Sequence, residues 1–345
     1  MRFLALLLLL LAGCSSQAPV ERRLALMGTS LEIRVEAADR KQALAASERA
    51  VAALAAAEDR LSTWRDDSEL ARLNASPDGP LSPALASDLR KAWRCWEETG
   101  GAFDPAVGRL VQLWGLRSGG RRPDSEELRK AVESLRERTD LVLEEGGFGK
   151  GAGLADALEA LGDVRALLDL GGQVAVTGGG RWSIPIADPR QRDRPVVALT
   201  IDGGSVSTSG NSERGIVVDG ERLGHILDPR SGRPAPDFGS LTVWTADPLR
   251  ADCLSTGLYV MGPEPALGWA AVHPGVEVLV LRPRGERVEA LASAGLEGKL
   301  EVLADDVDLA FWKKTESGGR TEGSRNPPPS PNPRGASWPT TPRKS

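Results

Sequence analysis

From Gly28 to Glu36 the chain alternates, with Thr29, Leu31, Ile33 and Val35 on one side, and this period of two predicts a strand. The period then changes. Residues 40–63 are Ala-rich and place Leu44, Val51, Leu54, Ala57 and Leu61 at helical spacing, so a long amphipathic helix is expected there. A second helix fits residues 82–99 and ends at the Gly100-Gly101 stop. Helical spacing returns over 124–137 and over 153–161, the latter directly after a glycine-rich loop. From Ala166 onward short apolar runs take over, at 166–170, 182–186, 196–201, 205–208, 216–218, 241–244 and 276–281, punctuated by Gly, Asp and Pro. Helices early and strands late predict an α+β fold of mixed sheets and packed helices, with no repeat of fixed period.

The 345 residues are 41% hydrophobic and 26% charged, an ordinary globular balance, and the length fits two domains or two lobes sharing a core. A net charge of −5 provides no basic field for phosphate backbones, which disfavours nucleic-acid binding. His225 and His273 are the only histidines, so a two-His zincin helix, a three-His zinc site and most multi-His iron sites are excluded and any metal must have oxygen ligands.

The ends read differently from the middle. Met1-Arg2, the apolar run 3–12 and Leu11-Ala12-Gly13-Cys14 read as a signal peptide over residues 1–13, too short to span a bilayer. The small residues before Cys14 resemble the bacterial lipobox, which implies cleavage there and lipidation of the Cys14 thiol. The expected location is the extracytoplasmic, periplasmic face of the bacterial cell envelope, lipid-anchored to a membrane, with residues 14–23 as tether. Residues 315–345 carry seven prolines and little that is apolar except Trp338, so a disordered tail is expected, leaving one domain over 24–314. Cys95 and Cys253 read as free, buried thiols rather than a disulfide framework.

Gly146-Gly147-Phe148-Gly149-Lys150-Gly151-Ala152-Gly153 opens a helix, where backbone N–H groups and the helix dipole favour an anion. It is not a Walker A loop, because Gly151 stands where that loop has Ser or Thr and Glu144 where it begins with Gly. Thr208-Ser209-Gly210-Asn211 is a hydroxyl-rich turn without the two flanking glycines of a nucleophile elbow. Asp252 and Thr256 stand at i and i+4, so on a helix both oxygens face one way. Together with backbone carbonyls they suit Mg2+, with a capped helix start as the plainer reading. His225 lies a few positions from Asp228 and Arg230, which could orient it, although a lone histidine is more often structural.

These pieces fall in a familiar order. Met27-Gly28-Thr29, Leu61-Ser62-Thr63-Trp64 with Ser68-Glu69-Leu70 and Leu73-Asn74, and Gly101-Ala102-Phe103-Asp104-Pro105 running to Leu113-Trp114-Gly115 come first. Gly147 through Gly151, Asp169-Leu170-Gly171-Gly172, Thr208-Ser209-Gly210, His225 through Gly232 and Ala251 through Gly257 follow. Together, over residues 24–313, they resemble the ApbE family of FAD:protein FMN transferases of the bacterial cell envelope. The resemblance implies a two-lobed ApbE-like fold with an FAD cleft between the lobes. The implied activity is Mg2+-dependent transfer of FMN from FAD to a Thr or Ser hydroxyl of an acceptor envelope flavoprotein, with release of AMP.

By the same resemblance Asp252 and Thr256 would ligand Mg2+, joined by the Gly147 carbonyl and Ser255. Met27, Trp64, Ala102, Phe103, Asp104, Glu144, Lys150 and Ile226 stand at positions that contact FAD, with Trp64 against the flavin ring and Asp104 hydrogen-bonding the nucleotide. His225 would be the base for the acceptor hydroxyl. The rival outcomes are an FAD pyrophosphatase giving FMN and AMP, and a non-catalytic FAD-binding lipoprotein. Four positions depart from the family pattern: Glu144 replaces Asp, Ala152 an aromatic and Gln173 Asn, and Asp156 comes one residue late.

Overall fold

Residues 19–211 and 215–313 are described by the computed structural model. The expected signal peptide, lipidated Cys14 and disordered Pro-rich tail fall outside these residues. The first element is a hairpin of β1 (Val20–Leu26) and β2 (Thr29–Glu36). Its two-residue turn, Met27-Gly28, has φ of 51° and 68°, the left-handed pair that matches strand twist. Val20 pairs with Val35, so residues 20–23 belong to this strand and not to the tether. The Glu21-Arg22-Arg23 run hides the alternation, because its charges work on the surface: Arg22 pairs with Glu48 and Arg23 with Glu32.

Helix α1 (Arg40–Leu61) is capped by Asp39, which accepts from Gln42 N at 2.8 Å. Its buried stripe is Ala43, Ala46, Ala50, Leu54, Ala57 and Leu61, whereas Leu44, expected on that face, is 46% exposed. Then come α2 (Glu69–Ala75), α3 (Pro83–Glu98), α4 (Gly108–Leu113) and α5 (Ser125–Glu137). Ser68 and Ser82 cap α2 and α3, and Asp124 with Glu127 forms a capping box on α5. Helix α6 (Gly149–Leu161) starts earlier than its apolar spacing predicts, because the glycines read as a loop form its first turn.

The strands that follow are β3 (Arg165–Leu170), β4 (Gln173–Thr177), β5 (Trp182–Asp188), β6 (Gln191–Ile201) and β7 (Gly204–Gly210). Shorter ones come next: β8 (Gly215–Val218), β9 (Glu221–Gly224), β10 (Leu227–Asp228) and β11 (Arg233–Pro234). The chain continues through β12 (Ser240–Thr245), α7 (Pro248–Met261), α8 (Pro263–Ala270), β13 (Val276–Arg284), β14 (Arg287–Ala292), β15 (Leu300–Val302) and β16 (Val307–Phe311).

A nine-stranded sheet, in the order β1-β2-β3-β4-β7-β12-β13-β14-β16, organises the molecule, and only its β14–β16 pair is parallel. Period-two alternation divides its side chains between two cores. Ala175, Val278 and Val280 pack with the helical layer of α1, α6, α7 and α8, while Val174, Val176, Leu279 and Leu281 pack under the small β15-β6-β5 sheet. A third core, with Leu70, Leu89, Leu110, Trp114, Leu128 and Phe148, gathers α2–α5 and the β8–β9 hairpin into a cap. The expected α+β architecture is present, with its second lobe made by this cap. Among the described residues no helix is long and apolar enough to cross a membrane.

Candidate active site

Helix α7 is the spine of the site. It is buried on nearly all sides, from Leu249 through Val260, and Asp247 caps it by accepting from Leu249 N at 2.9 Å and Arg250 N at 3.2 Å. The first turn of α6 lies directly on its start. A Cβ at Gly151 would stand 2.4 Å from the Pro248 carbonyl oxygen and 2.8 Å from the Asp252 Cβ, so only glycine fits. That proximity lets Gly151 N donate to Asp252 Oδ2 at 3.0 Å and brings Lys150 Nζ within 3.4 Å of Asp252 Oδ1. A Cβ at Gly147 would lie 3.4 Å from Thr256 Oγ1, which places that backbone beside the threonine.

A cleft of about 590 Å³ opens over this junction, between the sheet-and-helix layer and the cap. The residues expected to contact FAD all line it: Met27, Trp64, Ala102, Phe103, Asp104, Glu144, Lys150 and Ile226. His225, Gly147, Asp252 and Thr256 line it as well. Ser255 does not. Its hydroxyl is 1% exposed beneath the floor, donates to the Asp252 carbonyl at 2.9 Å, and is reached by Ser207 at 3.1 Å and Ser209 at 2.9 Å. Of this hydroxyl chain Ser209 is the member that faces the cleft.

Two expected roles look different in place. The Asp104 carboxylate, 3% exposed, is taken by Arg138 Nη1 at 2.6 Å and by Ala106 N at 2.9 Å, and Arg138 lies over Trp93 and Trp96. Asp104 thus ties the cleft wall to the end of α5. Asp228 Oδ1 accepts from Arg230 N and Nε, both at 2.9 Å, so it shapes the turn after His225. Asp156, the late carboxylate, joins α6 to α1 and α3: Arg60 reaches it at 2.7 Å and Asp88 at 2.9 Å. Gln173 donates to the Pro248 carbonyl at 2.8 Å and so clamps β4 to the start of α7.

At the opposite rim Glu144 and Glu145 share one cation, Arg117, and Thr63 bonds to both carboxylates. Burial pushes the Glu144 carboxyl up to about 7, the neighbouring Glu145 pushes the same way, and Arg117 opposes them. Sequence reading missed Arg117, Glu145, Ser209 and Glu58, whose carboxylate accepts from Met27 N at 3.1 Å. Glu145 adjoins the singled-out Glu144 and Ser209 lies inside the quoted Thr208-Ser209-Gly210 turn, which was the available signal, whereas nothing local marked Arg117 or Glu58.

The donors present fit Mg2+ better than a carboxylate-rich or thiolate site. Among the described residues no three His, Cys, Asp or Glu side chains gather to hold a metal. One carboxylate and one hydroxyl beside the Gly147 backbone leave room for the waters and substrate phosphates that Mg2+ retains.

The ApbE family sequence pattern matches residues 27–280. A protein named FAD:protein FMN transferase from Klebsiella pneumoniae (strain 342) is 32% identical over 298 residues, covering 74% of this chain and 85% of its own. The ApbE protein of Thermotoga maritima superposes with a TM-score of 0.70 at 27% identity, covering 82% of this chain and 96% of its own. The flavin transferase ApbE from Vibrio cholerae gives 0.65 at 27% identity, with 81% and 99% covered.

Proposed function

This chain belongs to the ApbE family, and on that premise we propose that it is an FAD:protein FMN transferase, moving FMN from FAD to a Ser or Thr hydroxyl of an acceptor protein. One observation carries the reading: Asp252, Thr256 and the Gly147 backbone converge with Lys150 on one cleft that His225 also lines. In the reaction the acceptor oxygen bonds to the FMN phosphorus, the pyrophosphate bond breaks, and AMP leaves with the bridging oxygen. The hydroxyl proton passes to His225.

Asp252, Thr256 and the Gly147 carbonyl would hold Mg2+, which when bound neutralises pyrophosphate charge. Lys150 adds a cation to the same end. Gly149 and Lys150 present N–H groups at the start of α6, while Gly151 N is committed to Asp252 and keeps that carboxylate turned inward. Ala102, Phe103 and Ile226 supply apolar wall, and Trp64 offers its ring to the flavin. The acceptor is an envelope flavoprotein, and the enzyme is tethered on the extracytoplasmic face through a lipidated Cys14, a reading supported by the lipobox-like Leu11-Ala12-Gly13-Cys14.

The test is incubation with FAD, Mg2+ and a candidate acceptor domain, with intact-mass measurement of the acceptor and assay of AMP. An acceptor heavier by one FMN, with equal AMP, is expected. AMP without any adduct across a panel of acceptor domains would replace the transferase by a pyrophosphatase. For the anchor, Cys14→Ser should move the protein from the membrane pellet to the soluble fraction, and an unchanged pellet would refute lipidation.

A further inference from the structure

Trp64 is the most exposed large apolar side chain described, at 66%. An exposed indole on the loop between α1 and α2 has two side-chain torsions to lose when a ligand stacks on it. One residue restrains it. The Arg117 guanidinium lies 4.5 Å from the centre of the indole ring, on one face. Its Nη1 donates to the Thr63 carbonyl at 2.8 Å, which holds the backbone just before Trp64. Its Nη2 bonds to the Thr63 hydroxyl and to Glu144, and Glu145 is 3.5 Å away. A planar fork meets these partners together; a lysine ammonium is a point charge that cannot.

We propose that Arg117 is the positioning residue of the flavin end, holding Trp64 so that the free face of its indole is set for the isoalloxazine ring before FAD arrives. This rests on the reading that FAD is the substrate and that its ring meets Trp64. Arg117 acts through Trp64, and the ordering of the indole is completed in the free protein rather than charged against binding. Its loss therefore weakens FAD binding and leaves the phosphate chemistry at Asp252 alone.

The experiment is a double-mutant cycle in FAD affinity, by flavin fluorescence titration of the full chain, using wild type, Arg117→Ala, Trp64→Ala and the double variant. Each single change is expected to weaken binding about tenfold. The double variant is expected to be no weaker than about tenfold, because the second change removes a partner already lost. A double variant weakened by the product of the two, about a hundredfold, would overturn the proposal. Arg117→Lys keeps a positive charge between Glu144 and Glu145 and so guards the fold. It should bind FAD nearly as weakly as Arg117→Ala, and wild-type affinity in it would also overturn the proposal. In transfer assays KM for FAD should rise while kcat stays within about twofold; a fall in kcat at unchanged KM would contradict a positioning role. Failure of wild type itself to bind FAD would sink the underlying reading, and this is visible before any variant is compared.

Discussion

Where α6 crosses the start of α7 the cleft wall is backbone against backbone, while at the Trp64 rim it is side chain against side chain. At the first end Gly151 lies where any Cβ would strike the Pro248 carbonyl, and Asp252 is fixed by a main-chain N–H. At the second, Arg117 spans Thr63, Glu144, Glu145 and the Trp64 ring through charges and a cation–π contact. A phosphoryl transfer needs its charges placed without reorganisation, which a glycine-packed helix junction provides. A ring-binding end needs a flat surface held in place, and ordered side chains suffice for that.

The sharpest break between the two ends comes from His225→Ala. Transfer should slow by about 10²–10⁴-fold, the range of a lost general base, while FAD affinity changes little. Equal losses in rate and affinity would return His225 to a structural role. Gly151→Ala should follow, lowering stability by about 1–3 kcal/mol through overpacking against Pro248 and Asp252, as read by urea denaturation. An unperturbed midpoint would mean that the α6–α7 contact is looser than described.

Glu144→Gln tests the rim through pH. Burial raises this carboxyl in the folded protein from its ordinary 4.5 to about 7. Its proton is therefore held more tightly folded than unfolded. The charged form is disfavoured by folding, so stability is unaffected by this group below pH about 4.5, falls as pH rises through the window from about 4.5 to about 7, and stays reduced above it. The wild-type slope should exceed that of the variant by at most about 1.4 kcal/mol per pH unit in that window. Parallel profiles would contradict the burial argument. The smallest effect concerns Cys95 and Cys253. Both thiols are buried, and burial holds the Cys253 thiol well above its ordinary range, so neither should react with an alkylating reagent until the protein unfolds.

Much of this was legible in the chain, for physical reasons that differ by element. Strand β2 and the buried stripe of α1 follow from periods of 2 and 3.6, and Asp252 and Thr256 from their spacing of four on α7. The beginning of α6 was hidden because glycine disfavours helix locally, and only contact with α7 makes it necessary. Ser255 was placed among the metal ligands by the motif around it, yet one step along a helix turns a side chain by about 100°, and Ser255 faces the β7 serines instead. Arg117 was invisible because its partners are far away in sequence and converge only when the cap closes on α1. Residues 20–23 were lost to a run of charges that covers a strand's exposed face.

The contrast between the two ends is tested most directly by single-turnover transfer of FMN at saturating FAD and Mg2+, with Asp252→Asn and Arg117→Ala run beside wild type. The expected result is an acceptor without adduct in Asp252→Asn, although FAD remains bound, and a rate within about twofold of wild type in Arg117→Ala. Wild-type adduct formation by Asp252→Asn would remove the chemistry from the α6–α7 junction and contradict the assignment of that end.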